Sequence, residues 1–486
     1  MNRPNLLFIH SDQHCFNISG CYGDEIVQTP HLDSLARSGI AFDNAYCPSP
    51  LCVPSRMSML TGRHPYELEV WNNFHVLNSG LPTFAHSMGA AGYSPVLFGR
   101  MHSIGPDQLH GYSERYIGDH IANFPGNPLP DRGVLGPGSA SKYISLELSG
   151  KGQSGYQVHD EEVTRETISY LNNLGLQKRQ GTLDRPFSVS VGFMLPHAPY
   201  VAHPEDYELY EGRVGLPRKK APVGKSQHPH YKEWKAHTGI DSEIPEKMQI
   251  RARTAYWALI TRMDCMVGEI LKALKDNQLD KNTIIVYSSD HGEQAGERGL
   301  WWKQTFYDES AKVPLIMSWP GRLPENERCD RVVSALDLNA TLLDALQAPP
   351  LPMSRGRSLL PLLSKKNSRW DDLAYSEFCG HEKDFVQRMV RKEEWKLIYF
   401  LGHRCQLFNL KEDPEELHDL GEDPHYQNIQ DELKHLVLED WDPDQIFQKL
   451  QGKKEELELL RAWAKETNPA ETYRWQSKGE MNYLIQ

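Results

Sequence analysis

Short apolar runs alternate with amphipathic segments along this chain, and that alternation is typical of a sheet covered by helices. Four runs rich in β-branched and apolar residues are each followed by polar residues and are predicted to be buried strands: residues 5–10, 94–98, 187–195 and 283–288. Apolar residues at helical spacing predict helices over residues 31–38, 161–174 and 246–275. The pattern therefore predicts an α/β fold.

Two long stretches, residues 111–156 and 200–245, show no period and are expected to be lids or binding loops, because structureless stretches of this length are uncommon in compact domains. The polar stretch 364–371 predicts a boundary between a larger domain, residues 1–365, and a smaller C-terminal α+β domain, residues 366–486. In the smaller domain, residues 389–399 and 405–410 predict antiparallel strands, and helices are expected from about Asn428 and Glu455.

Polar side chains follow all four predicted strands. Ligands of open parallel sheets bind beyond the carboxyl ends of the strands, so we expect one shared site: Asp12, Gln13, Arg100, His102, His197, Asp290 and His291. A single Asp there is more often a helix cap, and a single His an ordinary hydrogen-bonded residue, but the joint pattern favours a site. Asp12, Asp290 and His291 predict a cation site, because carboxylates suit Ca²⁺, Mg²⁺ or Mn²⁺ and an imidazole shifts the preference toward a transition ion.

A second cluster surrounds Cys52. Pro54 suits the first turn of a helix that Gly62 can end, so Cys52 is expected at a helix N-terminus, where free N–H groups and the helix dipole favour anions. That position suits a nucleophile that attacks an anionic ester. The ordinary alternative for an isolated Cys is a buried structural thiol.

Composition narrows the classes of function. The 486 residues suggest about three domains, or one large α/β core with an appendage. A net charge of −12 and the lack of a long basic run disfavour nucleic acid as a partner. The apolar run 6–9 is too short for a signal peptide or a membrane span. Eight irregularly spaced cysteines predict no disulfide framework, so we expect a cytoplasmic location, or a periplasmic one if a leader was removed.

Residues 52–62 match the pattern C-x-P-S-R-x-x-x-L-T-G, and the chain thereby resembles the type I sulfatases, in which this Cys is oxidised to formylglycine. The resemblance extends along the chain through further segments: TPHLD at 29–33, PHAP at 196–199, SDHGE at 289–293, WK at 302–303, VPL at 313–315 and LFNLKEDPEE at 407–416. It implies the alkaline-phosphatase-like fold, with a central mixed sheet flanked by helices. It also implies hydrolysis of a sulfate monoester, such as an aryl, choline or carbohydrate sulfate.

The resemblance implies a nucleophile and a metal site. The hydrate of a formylglycine derived from Cys52 attacks sulfur, and Arg56 holds its two hydroxyls. A divalent cation, with Ca²⁺ preferred over Mn²⁺, is bound by a set of five residues: Asp12, Gln13, Cys52, Asp290 and His291.

The remaining roles concern the sulfate group and its protons. Lys303 and His197 contact the sulfate and the leaving oxygen, and the spacing does not decide which of the two is the acid. His102 fits the base that releases sulfate from the hydrate. Arg100 adds positive charge around the ester oxygens.

Three departures qualify the resemblance. Gln13 stands where many members have a second Asp, His291 where many have Asn, and Arg100 where most have Lys. The change to Arg100 affects the expected contact with the sulfate, because a guanidinium is a planar group with several donors whereas an ammonium is a point charge. These variants, with GRMH at 99–102 and GPDQLHG at 105–111, resemble the branch of choline sulfatases and phosphonate monoester hydrolases. Two alternatives stay open: a phosphonate monoester or phosphodiester hydrolase using the same formylglycine, and a binder of sulfated ligands in which Cys52 is never oxidised.

The expected partners are a small sulfate ester and a formylglycine-generating maturation enzyme, with no nucleic acid and no membrane. The resemblance also implies a homo-oligomer, a dimer or tetramer formed through the tail. Candidate residues for the pocket wall, with ordinary packing as the alternative, are Trp71, Asn72, Asn73, Tyr200, Trp301 and Trp302.

Overall fold

A mixed sheet of eight strands lies at the centre of the larger part of the protein. The computed structural model describes residues 3–220, 227–364, 369–380 and 385–485. The strands are β1 Asn5–Asp12, β2 Ile40–Tyr46, β3 Ser94–Gly99, β4 Glu114–Tyr116, β5 Gly150–Gln153, β6 Phe187–Pro196, β7 Val201–Ala202, β8 Thr283–Ser289, β9 Leu315–Ser318, β10 Glu327–Ser334, β11 Leu373–Cys379, β12 Val386–Lys392, β13 Trp395–Phe400, β14 Gln406–Asn409 and β15 Tyr483–Leu484. The α-helices are α1 Pro30–Arg37, α2 Cys52–Thr61, α3 Pro65–Leu68, α4 Phe84–Ala90, α5 Ile144–Glu147, α6 Gly155–Gln180, α7 Pro204–Glu208, α8 Pro229–Thr238, α9 Glu246–Asp276, α10 Asp308–Ala311, α11 Ala335–Ala345, α12 Leu360–Ser364, α13 Gln427–Leu438 and α14 Pro443–Thr467.

The four strands predicted from the sequence are neighbours in this sheet, whose order is β10-β2-β9-β8-β1-β6-β3-β4. β1 pairs in parallel with β8 on one side and β6 on the other, and β6 pairs in parallel with β3. β9 runs antiparallel to both β8 and β2, which makes the sheet mixed. The α/β prediction is confirmed, and the carboxyl ends of the four strands meet at one edge.

Helices cover both faces of the sheet. Along β1, Leu7 and Ile9 belong to one apolar core, while Leu6 and Phe8 belong to the other, because successive side chains of a strand point to opposite faces. α6 and α9 pack on the first face, and α2, α4 and α11 contact one another on the second. A strand buried on both faces is a continuous apolar run, which is why the sequence reveals these strands clearly.

The C-terminal part contains a separate antiparallel sheet, in which β11, β12, β13 and β14 pair in chain order and which α13 and α14 cover. The predicted strand over residues 389–399 is two strands, β12 and β13, because the chain turns at Glu393 with a φ of 49°. The helix expected from Glu455 begins earlier, at Pro443, where Asp442 caps it by accepting from the Gln445 N–H. The division at residue 365 stays a prediction, and residues 365–368 lie outside the described residues.

Both stretches predicted to lack secondary structure contain short elements. Residues 111–156 include β4, α5 and β5, and residues 200–245 include β7, α7 and α8. β5 pairs with β7 and with β15, forming a small third sheet. Elements of two to five residues leave no measurable apolar period, which explains why they were not predicted. The ten-residue helix α8 was not predicted either. Among the described residues, no helix is both long enough and apolar enough to cross a membrane.

A buried lysine joins the C-terminal sheet to the rest of the protein. Lys396, on β13, is fully buried, and its ammonium donates to Asp308 at 2.5 Å, to Glu416 at 2.6 Å and to the Phe306 carbonyl at 3.0 Å. Asp308 begins α10, so this cation holds the segment that follows Lys303 in the chain. Buried charges are costly unless they are paired, and the three ionic groups therefore depend on one another.

We expect Lys396→Ala to lower the free energy of unfolding by about 3 kcal/mol, because the buried carboxylates of Asp308 and Glu416 then keep only the more distant Lys312 and Arg298, each 3.7 Å away. The matched control is Lys392→Ala, which removes an exposed pair with Glu432 at 2.7 Å and should cost about 0–1 kcal/mol. Urea unfolding followed by circular dichroism measures both. If both variants lost the same free energy of unfolding, the ion pairs of Lys396 would not be what holds the C-terminal sheet to the rest of the protein.

Candidate active site

The ends of β1 and β8 bring two carboxylates together. Asp12 is the last residue of β1, and Asp290 follows β8 directly. The backbone N–H groups of Gln13 and His291 both donate to Oδ1 of Asp290, at 3.1 and 2.9 Å. Gln13 has a φ of 68°, a conformation that non-glycine residues rarely adopt and that surrounding contacts must hold. This sharp turn keeps the side chains of residues 12 and 13 at the edge of the sheet.

Cys52 is the first residue of α2, and every residue of that helix is buried. Gly62 ends the helix with a φ of 71°, as predicted. The Val53 N–H donates to the side-chain oxygen of Asn73 at 3.0 Å. The Ser55 hydroxyl donates to the Asp290 carbonyl at 2.6 Å, which fixes the start of the helix against the end of β8.

Two buried guanidinium groups bind the outer oxygens of the carboxylates. Arg56 donates from Nε to Oδ2 of Asp290 at 2.9 Å and from Nη2 to Oδ2 of Asp12 at 3.2 Å. Arg100 donates to the same oxygen of Asp12 and, at 3.1 Å, to Asp119. Burial alone would raise the pKa of Asp12, but Arg100 and the other cations hold it well below its ordinary value. Asp12 therefore stays ionised.

The imidazole of His291 directs a lone pair at these carboxylates. Its Nδ1 lies 3.0 Å from the Gly292 carbonyl, which can only accept, so the proton of the neutral ring is on Nδ1. Its Nε2 lies 3.3 Å from Sγ of Cys52, 3.6 Å from Oδ1 of Asp290 and 3.8 Å from Oδ1 of Asp12. Burial lowers the pKa of His291 to about 4, which keeps the ring neutral. Ligand atoms of all four residues lie within 4.8 Å of one another, and their chemistry suits a divalent cation.

Gln13 adds an amide oxygen that lacks a partner. Its Nε2 donates to Glu293, while its Oε1 is buried and accepts no hydrogen bond from the described residues. Glu293 also accepts from the Tyr200 hydroxyl at 2.6 Å and from the N–H groups of Ala295 at 2.8 Å and Trp302 at 2.6 Å. A buried acceptor without a partner is rare in folded proteins. A cation beside the carboxylates would provide that partner.

Lys303 connects Cys52 to His197. Its Nζ lies 2.9 Å from Sγ of Cys52 and 3.0 Å from Nε2 of His197. Nδ1 of His197 donates to the Ala198 carbonyl at 2.6 Å, so Nε2 accepts from the ammonium. Burial alone would lower the pKa of Lys303, but the neighbouring Cys52 and the two carboxylates raise it, whereas burial lowers the pKa of His197. Lys303 therefore carries the proton of this pair.

His102 is held as a hydrogen-bond donor. Its Nδ1 lies 2.7 Å from Nη2 of Arg100, which can only donate, so a neutral His102 carries its proton on Nε2. Its backbone N–H donates to Asp119 at 3.0 Å, at a φ of 61°. Burial and Arg100 hold the pKa of His102 well below its ordinary value. This arrangement favours a neutral donor over the base that the resemblance implies.

The candidate site residues form one connected cluster, and the cluster opens into a cavity of about 620 Å³. Cys52, Arg100, His102, His197 and Lys303 line this active-site cavity. The prediction of which residues line the cavity is mostly wrong. Asn73 does line the cavity, but five other candidates are packed in the interior: Trp71, Asn72, Tyr200, Trp301 and Trp302. Large aromatic side chains bury much apolar area, and here that packing decided their position.

Sequence reasoning missed two residues of the site. Asp119 lies in a stretch predicted to be a loop, and its pairing with Arg100 could not be read from spacing. Glu293 lies in the SDHGE segment, whose match to the sulfatases was the only signal for it. Both are buried carboxylates. They orient residues beside the cation cluster, the name used here for the candidate cation-binding group Asp12, Cys52, Asp290 and His291.

Comparison with known proteins identifies the class. The sequence model of the sulfatase family matches residues 4–348, and the model of the C-terminal part of N-sulphoglucosamine sulphohydrolase matches residues 296–441. The chain belongs to the sulfatase family, and it is a sulfuric ester hydrolase.

Named relatives support this assignment. The choline-sulfatase of Rhizobium meliloti (strain 1021) is 32% identical over 434 residues, 87% of this chain and 83% of the relative. Arylsulfatase K of Gallus gallus is 29% identical over 447 residues, 86% of this chain and 78% of the relative. The structure of the phosphonate monoester hydrolase SpPMH from Silicibacter pomeroyi superposes with a TM-score of 0.74 at 21% identity, over 90% of this chain and 95% of that one. The predicted alkaline-phosphatase-like fold is confirmed.

We expect Gln13→Glu to lower the thermal midpoint of unfolding of the cation-free protein, because it places a second carboxylate against buried Glu293. The double variant Gln13→Glu/Glu293→Gln should recover much of that loss, since the new amide can donate to the new carboxylate. Differential scanning fluorimetry of protein treated with a chelator measures the effect in both variants. If the single and double variants are equally impaired, the contact with Glu293 does not determine the orientation of the Gln13 side chain.

Proposed function

We propose that this site hydrolyses sulfate monoesters with residue 52 in the formylglycine form and a divalent cation held by Asp12, Gln13, Asp290 and His291. The observation that carries the proposal is the position of Cys52. Its Sγ lies at a buried helix N-terminus, 2.9 Å from Nζ of Lys303 and 3.3 Å from Nε2 of His291. A helix N-terminus and a cation both favour the oxyanions of an ester at this point.

In the formylglycine form, residue 52 would carry two hydroxyls on one carbon, one to attack sulfur and one through which sulfate would later be expelled. Oδ1 of Asp12, 3.7 Å from Sγ of Cys52, would accept the proton of the attacking hydroxyl. The Lys303 amine, neutral once it has protonated the leaving oxygen and 2.9 Å from the same Sγ, would accept the proton of the second hydroxyl as the C–O bond to sulfate breaks. Arg56 holds the two strand-end carboxylates in register, and Lys303 adds a fixed positive charge beside residue 52. Charges positioned in advance are commonly the largest contribution to catalysis of this type.

The positions of the protons indicate which side chains can donate to the substrate. Lys303 holds the proton that it shares with neutral His197, so Lys303 is the proposed donor to the leaving oxygen and His197 its acceptor partner. His102 donates from Nε2 to the substrate, because Arg100 occupies its other nitrogen. Arg100 bridges Asp12, Asp119 and His102, and it acts chiefly by holding these groups in place.

The proposed cation is Ca²⁺. Two carboxylates and a neutral amide oxygen are the ligands that Ca²⁺ prefers, and the single imidazole makes Mn²⁺ the alternative. A cytoplasmic location, a formylglycine-generating maturation enzyme and a dimer or tetramer stay predictions from the sequence.

The test of the function compares 4-nitrophenyl sulfate with an aryl phosphonate monoester, using protein co-expressed with a maturation enzyme. We expect faster turnover of the sulfate, and mass spectrometry of the peptide that contains residue 52 should find formylglycine. Cys52→Ala should lose turnover of both esters. A clear preference for the phosphonate would favour the alternative hydrolase, and full activity with an unmodified thiol would contradict the mechanism.

We expect Asp290→Asn to lose bound cation and turnover, because it removes one of the two carboxylates that face the cluster while keeping the side-chain volume. Asp276→Asn is the matched control, since Asp276 pairs with Lys272 on the exposed face of α9. Elemental analysis, steady-state rates and circular dichroism separate loss of the cation from loss of the fold. Unchanged cation content in a folded Asp290→Asn protein would exclude Asp290 as a ligand.

A further inference from the structure

The active-site cavity has cationic walls although the chain as a whole carries a net charge of −12. The described residues that line it include no Asp or Glu and five cationic side chains: Arg100, Arg132, Lys142, Lys303 and Arg461. Arg100 and Lys303 belong to the reaction site, and the other three lie on other segments. Of these three, Arg461 pairs with Glu458 at 2.7 Å, which compensates its charge. A cleft lined by one sign of charge concentrates ligands of the opposite sign.

Arg132 has no carboxylate partner among the described residues. It donates to the Ser139 hydroxyl at 2.5 Å and to Nε2 of His120 at 2.9 Å, and its Nε makes no hydrogen bond. Because Nε2 of His120 accepts, the proton of that ring is on Nδ1, which donates to Asp119 at 3.1 Å. Burial lowers the pKa of His120 to about 3, so the ring is neutral. Asp119 in turn already pairs with Arg100.

Two of the three Phe and Tyr rings that line the cavity, Phe74 and Tyr156, already contact cations, and the third, Phe124, packs against Trp463. Cζ of Arg132 lies 5.8 Å from the centroid of the Tyr156 ring, and Cζ of Arg461 lies 4.9 Å from that of Phe74. Quaternary ammonium groups are bound on aromatic faces, and two such faces here hold the protein's own guanidinium groups. The described walls therefore disfavour a cationic leaving group such as choline.

We propose that the substrate is a carbohydrate sulfate with a second anionic group, and that Arg132 binds that group. The inference rests on the proposed sulfatase function. A carboxylate and a second sulfate present the same paired oxygens, which a guanidinium binds through parallel N–H groups. Neutral polar side chains in the wall suit sugar hydroxyls: Asn73, Asn127, Ser139, Ser141 and Thr238.

The test uses four sulfate esters: a hexuronic acid sulfate, its methyl ester, a disulfated hexosamine and choline sulfate, with 4-nitrophenyl sulfate as the reference. We expect kcat/KM for the hexuronate to exceed that for its methyl ester by roughly 10- to 100-fold, the range for a hydrogen bond to a charged group. Comparing the hexuronate with the disulfated sugar shows which anion is preferred. Choline sulfate should be the poorest of the four.

Arg132→Gln should bring the ratio between hexuronate and methyl ester close to one, and the reference ester should lose far less activity. Arg461→Gln, on α14, should leave the ratio between hexuronate and methyl ester close to that of the unaltered protein, because Arg461 already pairs with Glu458 at 2.7 Å. The matched control is Lys449→Gln. Lys449 lies on the same helix as Arg461, and the change removes its exposed ion pair with Glu69 at 2.8 Å.

Two results would overturn the inference: a preference for choline sulfate or the methyl ester, and a ratio that Arg132→Gln leaves unchanged in a folded protein. An enzyme that releases sulfate from the reference ester but shows either result keeps the proposed function. An enzyme that releases sulfate from none of the esters would contradict the proposed function as well.

Discussion

The contact of one guanidinium with two carboxylates is the constraint on which this site depends. Parallel pairing of β1 and β8 places Asp12 and Asp290 side by side in the interior, where two unpaired negative charges would be very costly. Arg56 binds Oδ2 of both, which leaves the Oδ1 atoms on the side of His291 and Cys52. Arg56 and Cys52 belong to the same helical turn. The charges that hold the cation cluster therefore also position the nucleophile.

The neutral side chain at position 13 changes how negative charge is distributed. The resemblance to the sulfatases leads us to expect a second Asp here, whereas this protein has an amide, Gln13, beside the carboxylates and a further carboxylate, Glu293, behind it. Four neutral donors surround Glu293, and burial raises its pKa. Glu293 therefore connects the end of β1 to Tyr200 and to Trp302, the residue before Lys303. One buried carboxylate thus fixes both the amide orientation and the segment that carries the lysine.

The sequence predicted the parts of the site that follow long, fully buried strands. Asp12, His197 and Asp290 end such strands, and parallel pairing brings them to one edge. The pocket wall could not be predicted in this way. Trp301 and Trp302 are fixed by packing in the core, and Arg132 and Asp119 come from a stretch whose elements are too short to have a period. Their positions depend on contacts between residues distant in sequence, which no local pattern encodes. Cys52 was predicted only in part. The sequence pattern predicted that it lies at the start of a helix, but the reactivity of Cys52 was inferred only from the resemblance to the sulfatases.

The cavity wall and the cation cluster are connected by hydrogen bonds of defined direction. Arg132 donates to His120, His120 donates to Asp119, and Arg100 donates both to Asp119 and to Asp12. The two guanidinium groups can only donate, which fixes the direction of the hydrogen bonds made by the His120 ring and by Asp119 between them. An anion that arrives at Arg132 meets a donor whose orientation is already set. Little reorganisation is then needed on binding, which is the condition under which fixed charges contribute most to recognition and catalysis.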